Sequence, residues 1–560
     1  MKDRRIFIIS FILLLGFVLL VTLNLADKSG QVEPFRGARL ESTVFNPLIS
    51  KNLNKADVVK LSIDGDEMVS ERGEILLNNN MDTLTSLTLI RRVFYASSRT
   101  LSDGTVILER NDDNFKFTVG KKEGTKNKNA YKLEVEPEKV GDKVYFSMKD
   151  VCRMFGYGYA WDNRTKEVSL DSTASEPPRL RPKFDLRTEG RTAEIKNQGS
   201  LSTCWAYAAT SALESSVLSD QKMTFDAYDM AKRNTYKRKT TEPGNYMMAV
   251  SYLLSWNGPV VSEKSGTAKH LQEVHFFNQD DMDDIKWAVF RNGGVSTSIY
   301  AETGEGKFTK SDYYNSEKGA YYYYGNKNPN HDIVIIGWDD NYSAENFGHK
   351  CPGNGAFICQ NSWGDKFGDD GVFYVSYYDT NIGNFGVSYV KLESNTNYDR
   401  IYQTDLCGSV GKVGFGTKSA MAANVYKADT NQIIKAAGFY NTSKDSEYEV
   451  YAVSKYENTT SLADRELVAK GSLHDLGYYT ILFDKDIEVE EGDDFAIILV
   501  MKSKKNGKQI AIEYDGNSLT KHVDIKDGQG YLSQNGVSWN RIESEFDANI
   551  CLKAYCDEKK

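Results

Sequence analysis

The pattern of apolar and polar residues divides the chain into regions with different predicted structures. At the N-terminus, basic residues precede an apolar run of about 20 residues from Ile6 to Leu25, which is long enough to span a bilayer. Positive charge before such a run favours a cytoplasmic N-terminus, so we expect the remainder of the chain to be exported. No good signal-peptidase site follows, so residues 1–26 are predicted to be an uncleaved anchor, with a removed signal peptide as the alternative. Residues 27–55 would then form a tether.

Residues 56–172 combine short extended segments with one short amphipathic stretch. The clearest part runs from Val144 to Leu170 and indicates a strand, a short helix, a strand, a turn and a strand. We therefore predict a small α+β N-terminal domain. Residues 173–182 contain three prolines and predict a linker, which is a plausible site for proteolytic release.

The following region, residues 183–395, mixes helical and strand patterns. Residues 205–218 form an amphipathic stretch, whereas residues 333–338 form a continuous apolar run typical of a buried strand. In residues 396–560 the pattern changes to short alternating segments with turn signals between them, which is typical of a β-sandwich. The clearest of these segments are Tyr448–Val453, Tyr479–Phe483 and Phe495–Val500. The sequence thus predicts an α+β protein with a mixed core, a small α+β domain before it and a β-sandwich after it.

Charge and cysteine content limit the possible partners. The net charge of the chain is −9 and no basic cluster stands out, so nucleic acid is not an expected partner. Seven cysteines leave one unpaired in an exported chain. Cys351 and Cys359 flank a turn and could form a disulfide, whereas Cys551 and Cys556 should point to opposite faces of a strand. No group of residues has the spacing of zinc ligands, so no metal is predicted in the core.

Three polar residues that lie far apart along the chain carry the candidate chemistry. Cys204 stands at the start of the amphipathic stretch, where the positive end of a helix dipole favours the thiolate. His331 opens the apolar strand roughly 130 residues later, and Asn361 follows a second apolar run. Such residues suit a nucleophile, a base and a group that orients the base.

The motifs around these residues resemble the papain family of cysteine peptidases. The matching segments are Phe184–Arg187, Lys196–Ser200, Ser202–Ala206, Asn330–His331 and Asn361–Gly364. The resemblance implies a two-lobed core, with a helical half that carries Cys204 and a β-rich half that carries His331 and Asn361. It implies that the side chain of Gln198 and the backbone amide of Cys204 form the oxyanion hole. It also implies that Trp363 covers the contact between His331 and Asn361.

Further positions match the substrate cleft of that family. Gly244 and Asn245 resemble the glycine wall beside the cleft. Asp332 occupies a position that lines the pocket for the second residue before the cut, so its carboxylate could favour a basic side chain. The alternative is a solvated or strand-capping aspartate. Leu201 replaces a cysteine that forms a disulfide in many members of the family, so that bridge is not expected.

The flanking domains also resemble known modules. Residues 56–172 are similar to the copper amine oxidase N-terminal-like stalk module of bacterial surface proteins, which does not imply copper; the alternative is an unrelated α+β prodomain. In either case this domain could shield the cleft before activation. Residues 396–560 resemble the lectin-like domain that follows the peptidase in some bacterial cell-surface cysteine proteases. This second resemblance suggests carbohydrate or calcium binding, and the alternative is a sandwich that only buttresses the peptidase. Tyr531 and Trp539 are candidates for stacking on sugars or for core packing.

The sequence therefore predicts a cysteine-type endopeptidase that acts on extracellular or cell-surface proteins through a thioester acyl-enzyme, without a cofactor. The predicted partners are protein or peptide substrates, cell-wall carbohydrate at the C-terminal domain, and the membrane through residues 6–25. The predicted location is the outer face of the cytoplasmic membrane or, after secretion, the cell surface. Two alternatives remain open: a Cys-His amidase or transpeptidase acting on cell-wall peptides, and a non-catalytic surface adhesin.

Overall fold

The computed structural model describes residues 59–68, 73–78, 80–141, 143–218, 221–261, 266–302 and 311–559. The predicted anchor, residues 1–26, and the predicted tether, residues 27–55, lie outside the described residues. Among the residues that the structure describes, no helix combines the length and hydropathy needed to cross a membrane.

The first region of the described chain is a small α+β domain of three sheets and two helices that share one apolar core. Each helix starts at a serine whose hydroxyl accepts a backbone amide from the first turn, as N-caps do. The helices are α1 (Leu87–Phe94) and α2 (Met148–Phe155). The strands are β1 (Lys60–Ile63), β2 (Asp66–Met68), β3 (Ile75–Leu77), β4 (Thr83–Ser86), β5 (Ser97–Thr100), β6 (Thr105–Arg110), β7 (Asp113–Thr118), β8 (Glu123–Lys126), β9 (Asn129–Lys132), β10 (Glu138–Val140), β11 (Lys143–Ser147), β12 (Gly158–Asp162) and β13 (Glu167–Asp171).

The linker after this domain is held by hydrogen bonds at both ends. The Arg110 guanidinium donates to Ser175 Oγ over 2.8 Å and to the carbonyl of Glu176 over 2.5 Å. Further on, the indole of Trp338 donates to the carbonyl of Arg181 over 2.8 Å. The linker is therefore an ordered strap, although its predicted role as a cleavage site stays a prediction.

The central region has three helices on one side and a sheet on the other, as the sequence predicts. The helices are α3 (Cys204–Val217), α4 (Ala227–Lys232), α5 (Tyr246–Leu254) and, also packed against the sheet, α6 (Met282–Asn292). The strands are β14 (Lys183–Asp185), β15 (Lys269–Phe277), β16 (Val295–Ile299), β17 (Tyr314–Asn315), β18 (Ala320–Tyr321), β19 (His331–Asp339), β20 (Ala356–Gln360), β21 (Val372–Ser376) and β22 (Gly386–Ser394). Helix α3 is buried on most of its surface, so the predicted amphipathic stretch is instead a central helix between the two halves.

The small N-terminal domain docks on helix α6. The ring of Tyr95 meets Trp287 edge-to-face at 5.1 Å between centroids, and the guanidinium of Arg291 lies 4.5 Å from the Tyr95 centroid. Such a cation–π contact adds about 0.5–1 kcal/mol at a partly exposed site.

The third region is a β-sandwich with its own apolar core, as predicted. Its strands are β23 (Arg400–Tyr402), β24 (Gly411–Val413), β25 (Thr417–Lys427), β26 (Gln432–Asn441), β27 (Ser446–Val453), β28 (Glu466–Leu473), β29 (Gly477–Val489), β30 (Asp494–Gly507), β31 (Ile510–Tyr514), β32 (Gly530–Ser533), β33 (Asn540–Arg541), β34 (Ala548–Ile550) and β35 (Leu552–Glu558), with the short helix α7 (Ile542–Phe546). Of the two aromatic residues proposed for sugar stacking, Tyr531 is buried and accepts a hydrogen bond from Tyr456, whereas Trp539 is partly exposed.

One sheet runs through the central region and the sandwich without a break. Its order is β17-β18-β21-β20-β19-β16-β22-β15-β29-β26-β35-β23, with β14 also paired to β19. The two regions meet where β15 pairs with β29, through Glu273, Val274 and His275 opposite residues 477–479. The sandwich is thus hydrogen-bonded directly to the central sheet.

The cysteines contradict the expectation of disulfides. All seven are free thiols, and all except Cys204 are buried. Cys351 approaches Ser376 Oγ at 3.1 Å instead of Cys359, so the bridge suggested for this pair is wrong. Cys551 and Cys556 lie in two separate apolar cores, which is consistent with opposite faces of the strand.

Candidate active site

The loop before α3 is fixed by backbone pairing with the segment after β20. The amide of Gln198 donates to the carbonyl of Ser362 over 2.9 Å, and the amide of Gly364 donates to the carbonyl of Lys196 over 3.0 Å. Asn197 and Trp363 form the antiparallel bridge between these bonds. This pairing brings the helical half and the sheet half together at the start of α3.

A buried ion pair anchors the same loop to the body of α3. Lys196 Nζ donates to Glu214 Oε1 over 2.6 Å and to Thr210 Oγ1 over 3.0 Å, and Glu214 also accepts the amide of Phe225. Burial lowers the pKa of Lys196, and the carboxylate opposes that shift. Removing one member would leave an uncompensated buried charge, which costs about 3–5 kcal/mol.

Cys204 is the first residue of α3 and lies in the same groove as His331. Its N-cap residue, Thr203, makes no side-chain capping bond, so the amides of Cys204 and Trp205 stay available to a negative charge at the helix start. Burial raises the pKa of the Cys204 thiol to about 12, and the neighbouring Asp332 carboxylate contributes to that rise. Hydrogen bonds from the backbone amides of Asp332 and Trp205 act in the opposite direction and lower this pKa.

His331 and Asn361 form the pair that the sequence predicts. The distance between His331 Nε2 and Asn361 Oδ1 is 2.8 Å, and the same oxygen accepts the backbone amide of Ser362 over 2.8 Å. Because Asn361 Oδ1 acts as an acceptor, Nε2 carries the proton and Nδ1 keeps its lone pair. Trp363 stacks on the imidazole at 4.5 Å with an angle of 24° between the planes.

Burial lowers the pKa of His331 to about 4, although the hydrogen bond to Asn361 opposes the shift. A lone positive charge on the imidazole and a lone negative charge on the thiol are therefore both disfavoured. A thiolate–imidazolium pair is less affected, since each charge offsets the burial cost of the other.

Both ends of the Gln198 side-chain amide are held. Its Oε1 accepts the hydroxyl of Ser362 over 2.6 Å, and its Nε2 donates to the carbonyl of Leu201 over 2.8 Å. An amide nitrogen carries two hydrogens, so one N–H of Gln198 remains for the groove that this residue lines.

The groove has a volume of about 870 Å³. It is lined by the loop before α3, the loop before α5, the segment that leads into β19, and Ser298, Trp363 and Phe385. All of these residues belong to the central region, and no described residue of the N-terminal domain is among them. The hypothesis that this domain shields the cleft is therefore wrong for the residues that the structure describes.

Gly244, Asn245 and Asp332 also line the groove. A Cβ on Gly244 would lie 2.4 Å from Trp205 Nε1, so only glycine fits there. The side chain of Asn245 is engaged as the N-cap of α5, where it accepts the amide of Met248 over 3.2 Å. Asp332 accepts a hydrogen bond from Ser298 Oγ, and burial raises its pKa to about 6.

A smaller cavity beside Asp332 is lined by Ser298, Tyr246, Phe385 and Tyr389, among others. Tyr246 stacks on Phe385 at 5.6 Å, and together they form an aromatic wall of the groove. The sequence does not reveal this wall, because neither residue lies in a motif or a periodic segment. The remaining histidines lie outside the groove; they are His270, His275, His349, His474 and His522.

No group of three or more His, Cys, Asp and Glu side chains in the described part of the chain could hold a metal ion. Calcium binding by the C-terminal domain remains a prediction.

Comparison with protein families matches three domains in the predicted order. Residues 91–170 match the copper amine oxidase N-terminal domain, residues 180–390 the papain family of cysteine proteases, and residues 401–556 the lectin-like domain. Similar curated proteins include cathepsin S of Mus musculus, 26% identical over 216 residues, which are 34% of this chain and 57% of the relative. Cathepsin Q of Rattus norvegicus is 23% identical over 288 residues, which are 47% of this chain and 78% of the relative.

Solved structures support the same fold across the central and C-terminal regions. A clostridial cysteine protease, Cwp84, after propeptide cleavage, has a TM-score of 0.60 at 22% identity, covering 67% of this chain and 99% of that chain. The cysteine protease and lectin-like domains of Cwp84, a surface layer associated protein of Clostridium difficile, give 0.59 at 21% identity, covering 68% and 90%. These findings confirm the predicted fold class and the predicted enzyme class, a papain-like cysteine peptidase. Residues 180–390 therefore match the papain family of cysteine proteases, between segments that match a copper amine oxidase N-terminal domain and a lectin-like domain.

Proposed function

We propose that this chain is an endopeptidase that hydrolyses extracellular or cell-surface proteins through Cys204, His331 and Asn361. The observation that carries the proposal is the His331–Asn361 bond of 2.8 Å, which leaves Nδ1 of the imidazole as a base in the groove that Cys204 lines. A base in reach of a nucleophile, oriented by a third group, is the arrangement that covalent peptide hydrolysis requires.

In the proposed reaction His331 carries the proton from one step to the next. The Cys204 sulfur attacks the scissile carbonyl while its proton passes to His331 Nδ1, and a carbon–sulfur bond forms. The oxyanion accepts hydrogen bonds from the Gln198 side chain and the Cys204 amide. The carbon–nitrogen bond then breaks, and His331 gives its proton to the leaving amine. Water, deprotonated by His331, hydrolyses the thioester and regenerates the thiol.

The proposed location and partners rest on separate observations. Export is supported by the charged start and the apolar run of residues 6–25, and surface association by analogy with Cwp84, described as a surface layer associated protein. Carbohydrate is the proposed ligand of the lectin-like domain. Because Tyr531 is buried, Trp539 is the better candidate of the two aromatic residues for stacking on a sugar.

The test labels one sample of the chain with a peptidyl epoxide and measures hydrolysis of casein and of purified peptidoglycan with separate, untreated samples. We expect stoichiometric labelling of Cys204 and cleavage of casein. Release of cell-wall peptides without cleavage of casein would favour the amidase or transpeptidase alternative. Absence of both labelling and hydrolysis would favour the adhesin.

We further propose that Asp332 favours a basic side chain at the second position before the cut. The pKa of Asp332 is raised to about 6, so its carboxylate is charged above that pH and neutral below it. Selectivity for lysine over leucine at that position should therefore be present at pH 7.5 and lost as the pH falls below about 6. We expect about a tenfold selectivity at pH 7.5, equivalent to roughly 1.4 kcal/mol, measured as a ratio of kcat/KM values.

The matched variant for this prediction is Asp332→Asn, which keeps the size of the side chain and removes its charge. The Asp332→Asn variant should show low selectivity for lysine over leucine at both pH 5 and pH 7.5. A wild-type ratio that does not change between pH 5 and 7.5 would assign Asp332 to the strand-capping alternative.

A further inference from the structure

The C-terminal domain buries two different faces of the same strands. Along β26, Phe439 lies in the core of the sandwich, whereas the next residue, Tyr440, lies in the core of the peptidase region. Strand β29 repeats the pattern, with Tyr479 in the sandwich core and Tyr478 in the peptidase core. Because side chains alternate along a strand, one sheet of the sandwich serves as a wall of the peptidase core.

A continuous series of aromatic contacts connects that wall to the groove. Tyr440 stacks on Phe276 at 6.4 Å between centroids, with 11° between the planes. Phe276 meets Tyr246 at 5.9 Å in an edge-to-face contact, and Tyr246 stacks on Phe385 at 5.6 Å. The last two residues line the groove, and Phe385 is 49% exposed. The groove side of Phe385 is therefore open, and its support comes from Tyr246.

The backbone of the intermediate residue is also held from the C-terminal domain. Phe276 belongs to β15, and its amide donates to the carbonyl of Leu476 over 2.9 Å. On the other side of β15, Phe276 pairs with Val387 of β22, two residues after Phe385. The position of Phe276 therefore depends on both domains. Because Phe276 contacts Tyr246 directly, a shift of Phe276 would also shift the aromatic wall.

We propose that Tyr440 of the lectin-like domain is a positioning residue for the aromatic wall formed by Tyr246 and Phe385, so that this domain helps to set which side chains the groove accepts. The inference rests on the proposed peptidase function. Removing the Tyr440 ring leaves a void beside Phe276. The side chains around such a void relax partly into it. Tyr246 then loses its fixed support, whereas Cys204, His331 and Asn361 lie outside this series of contacts.

The experiment compares Tyr440→Ala with Phe439→Ala, two adjacent ring deletions on one strand that face different cores. Two peptide substrates are used, with leucine or alanine at the second position before the cut. For Tyr440→Ala we expect KM for the leucine substrate to rise about five- to tenfold, with kcat within twofold and the alanine substrate little affected. Phe439→Ala should lower the thermal midpoint without changing the ratio of the two KM values, and Tyr440→Phe should behave as the wild type.

A second readout keeps the inference separate from the proposed function. The rate of Cys204 alkylation by leucyl and alanyl epoxides reports the same selectivity without turnover, so it serves if hydrolysis is not detected. If Tyr440→Ala does not fold, Tyr440→Leu replaces it, with a smaller expected change. An unchanged ratio in the folded Tyr440 variant, or an equal change in Phe439→Ala, overturns the inference. A wild type that neither hydrolyses peptides nor reacts with the epoxides overturns the proposed function, and this inference with it.

Discussion

Replacing Cys204 with alanine is expected to abolish peptide hydrolysis, with a loss in kcat of up to about 10⁶-fold, as when a nucleophile is removed from a comparable three-residue site. No other thiol can take its place, because the other six cysteines are buried. The fold should survive, since Cys204 is partly exposed at the groove and lies outside the apolar core. We expect the free energy of unfolding to change by less than about 1 kcal/mol.

The matched control for this prediction is Cys351→Ala. Cys351 is buried in the same region and its sulfur contacts Ser376 Oγ at 3.1 Å, but it does not line the groove. This variant should lose some stability and keep its activity. The measurements are kcat on a peptide substrate, epoxide labelling detected by mass, and the thermal midpoint. Hydrolysis by Cys204→Ala within tenfold of the wild type, or labelling that persists in it, would contradict the assignment of the nucleophile.

The contact between His331 and Asn361 could be predicted from the sequence for a simple geometric reason. His331 opens β19, and Asn361 directly follows β20, the next strand in sequence. The two strands are antiparallel neighbours, so the start of the first lies beside the end of the second. Two apolar runs, each bordered by one polar residue, therefore contain the information needed to place the pair together.

The aromatic wall of the groove could not be predicted in the same way. Tyr246 begins a helix whose residues are nearly all buried, so its position in the groove leaves no periodic signal. Phe385 lies in a turn with a φ of 55°, a backbone conformation that sequence patterns indicate only for glycine, asparagine and aspartate. Both residues reach the groove through tertiary packing alone.

The sequence contains a sign that one sheet of the sandwich is buried on both faces, although the alternation of apolar and polar residues does not reveal it. Adjacent aromatic residues, Phe439–Tyr440 and Tyr478–Tyr479, interrupt the expected change between apolar and polar positions. A strand of this kind is covered on both sides. The free thiols leave no comparable trace in the sequence, because their surroundings are set by tertiary packing: Cys351 contacts Ser376 Oγ, whereas Cys551 and Cys556 lie in two separate apolar cores.

Replacing Gln198 with alanine is expected to lower kcat by about 10²–10³-fold, with KM changed only a few-fold. The expected loss is that of one hydrogen-bond donor to the developing oxyanion, about 2.7–4 kcal/mol. The Gln198 side chain is held at the groove by Ser362 at its oxygen and by Leu201 at its nitrogen. One N–H is therefore fixed in direction before substrate binds.

Two further variants separate this electrostatic role from a structural one. Gln198→Glu keeps an acceptor for Ser362 but replaces the donor with a negative charge, so its kcat should fall at least as far as that of Gln198→Ala. Ser362→Ala removes the bond that holds the amide oxygen and leaves the donor in place, so its loss should be less than about tenfold. If Ser362→Ala were as damaging as Gln198→Ala, the role of Gln198 would be to hold the loop. A kcat of Gln198→Ala within threefold of the wild type would remove this side chain from the oxyanion hole, and the amide of Cys204 at the start of α3 would be the remaining donor.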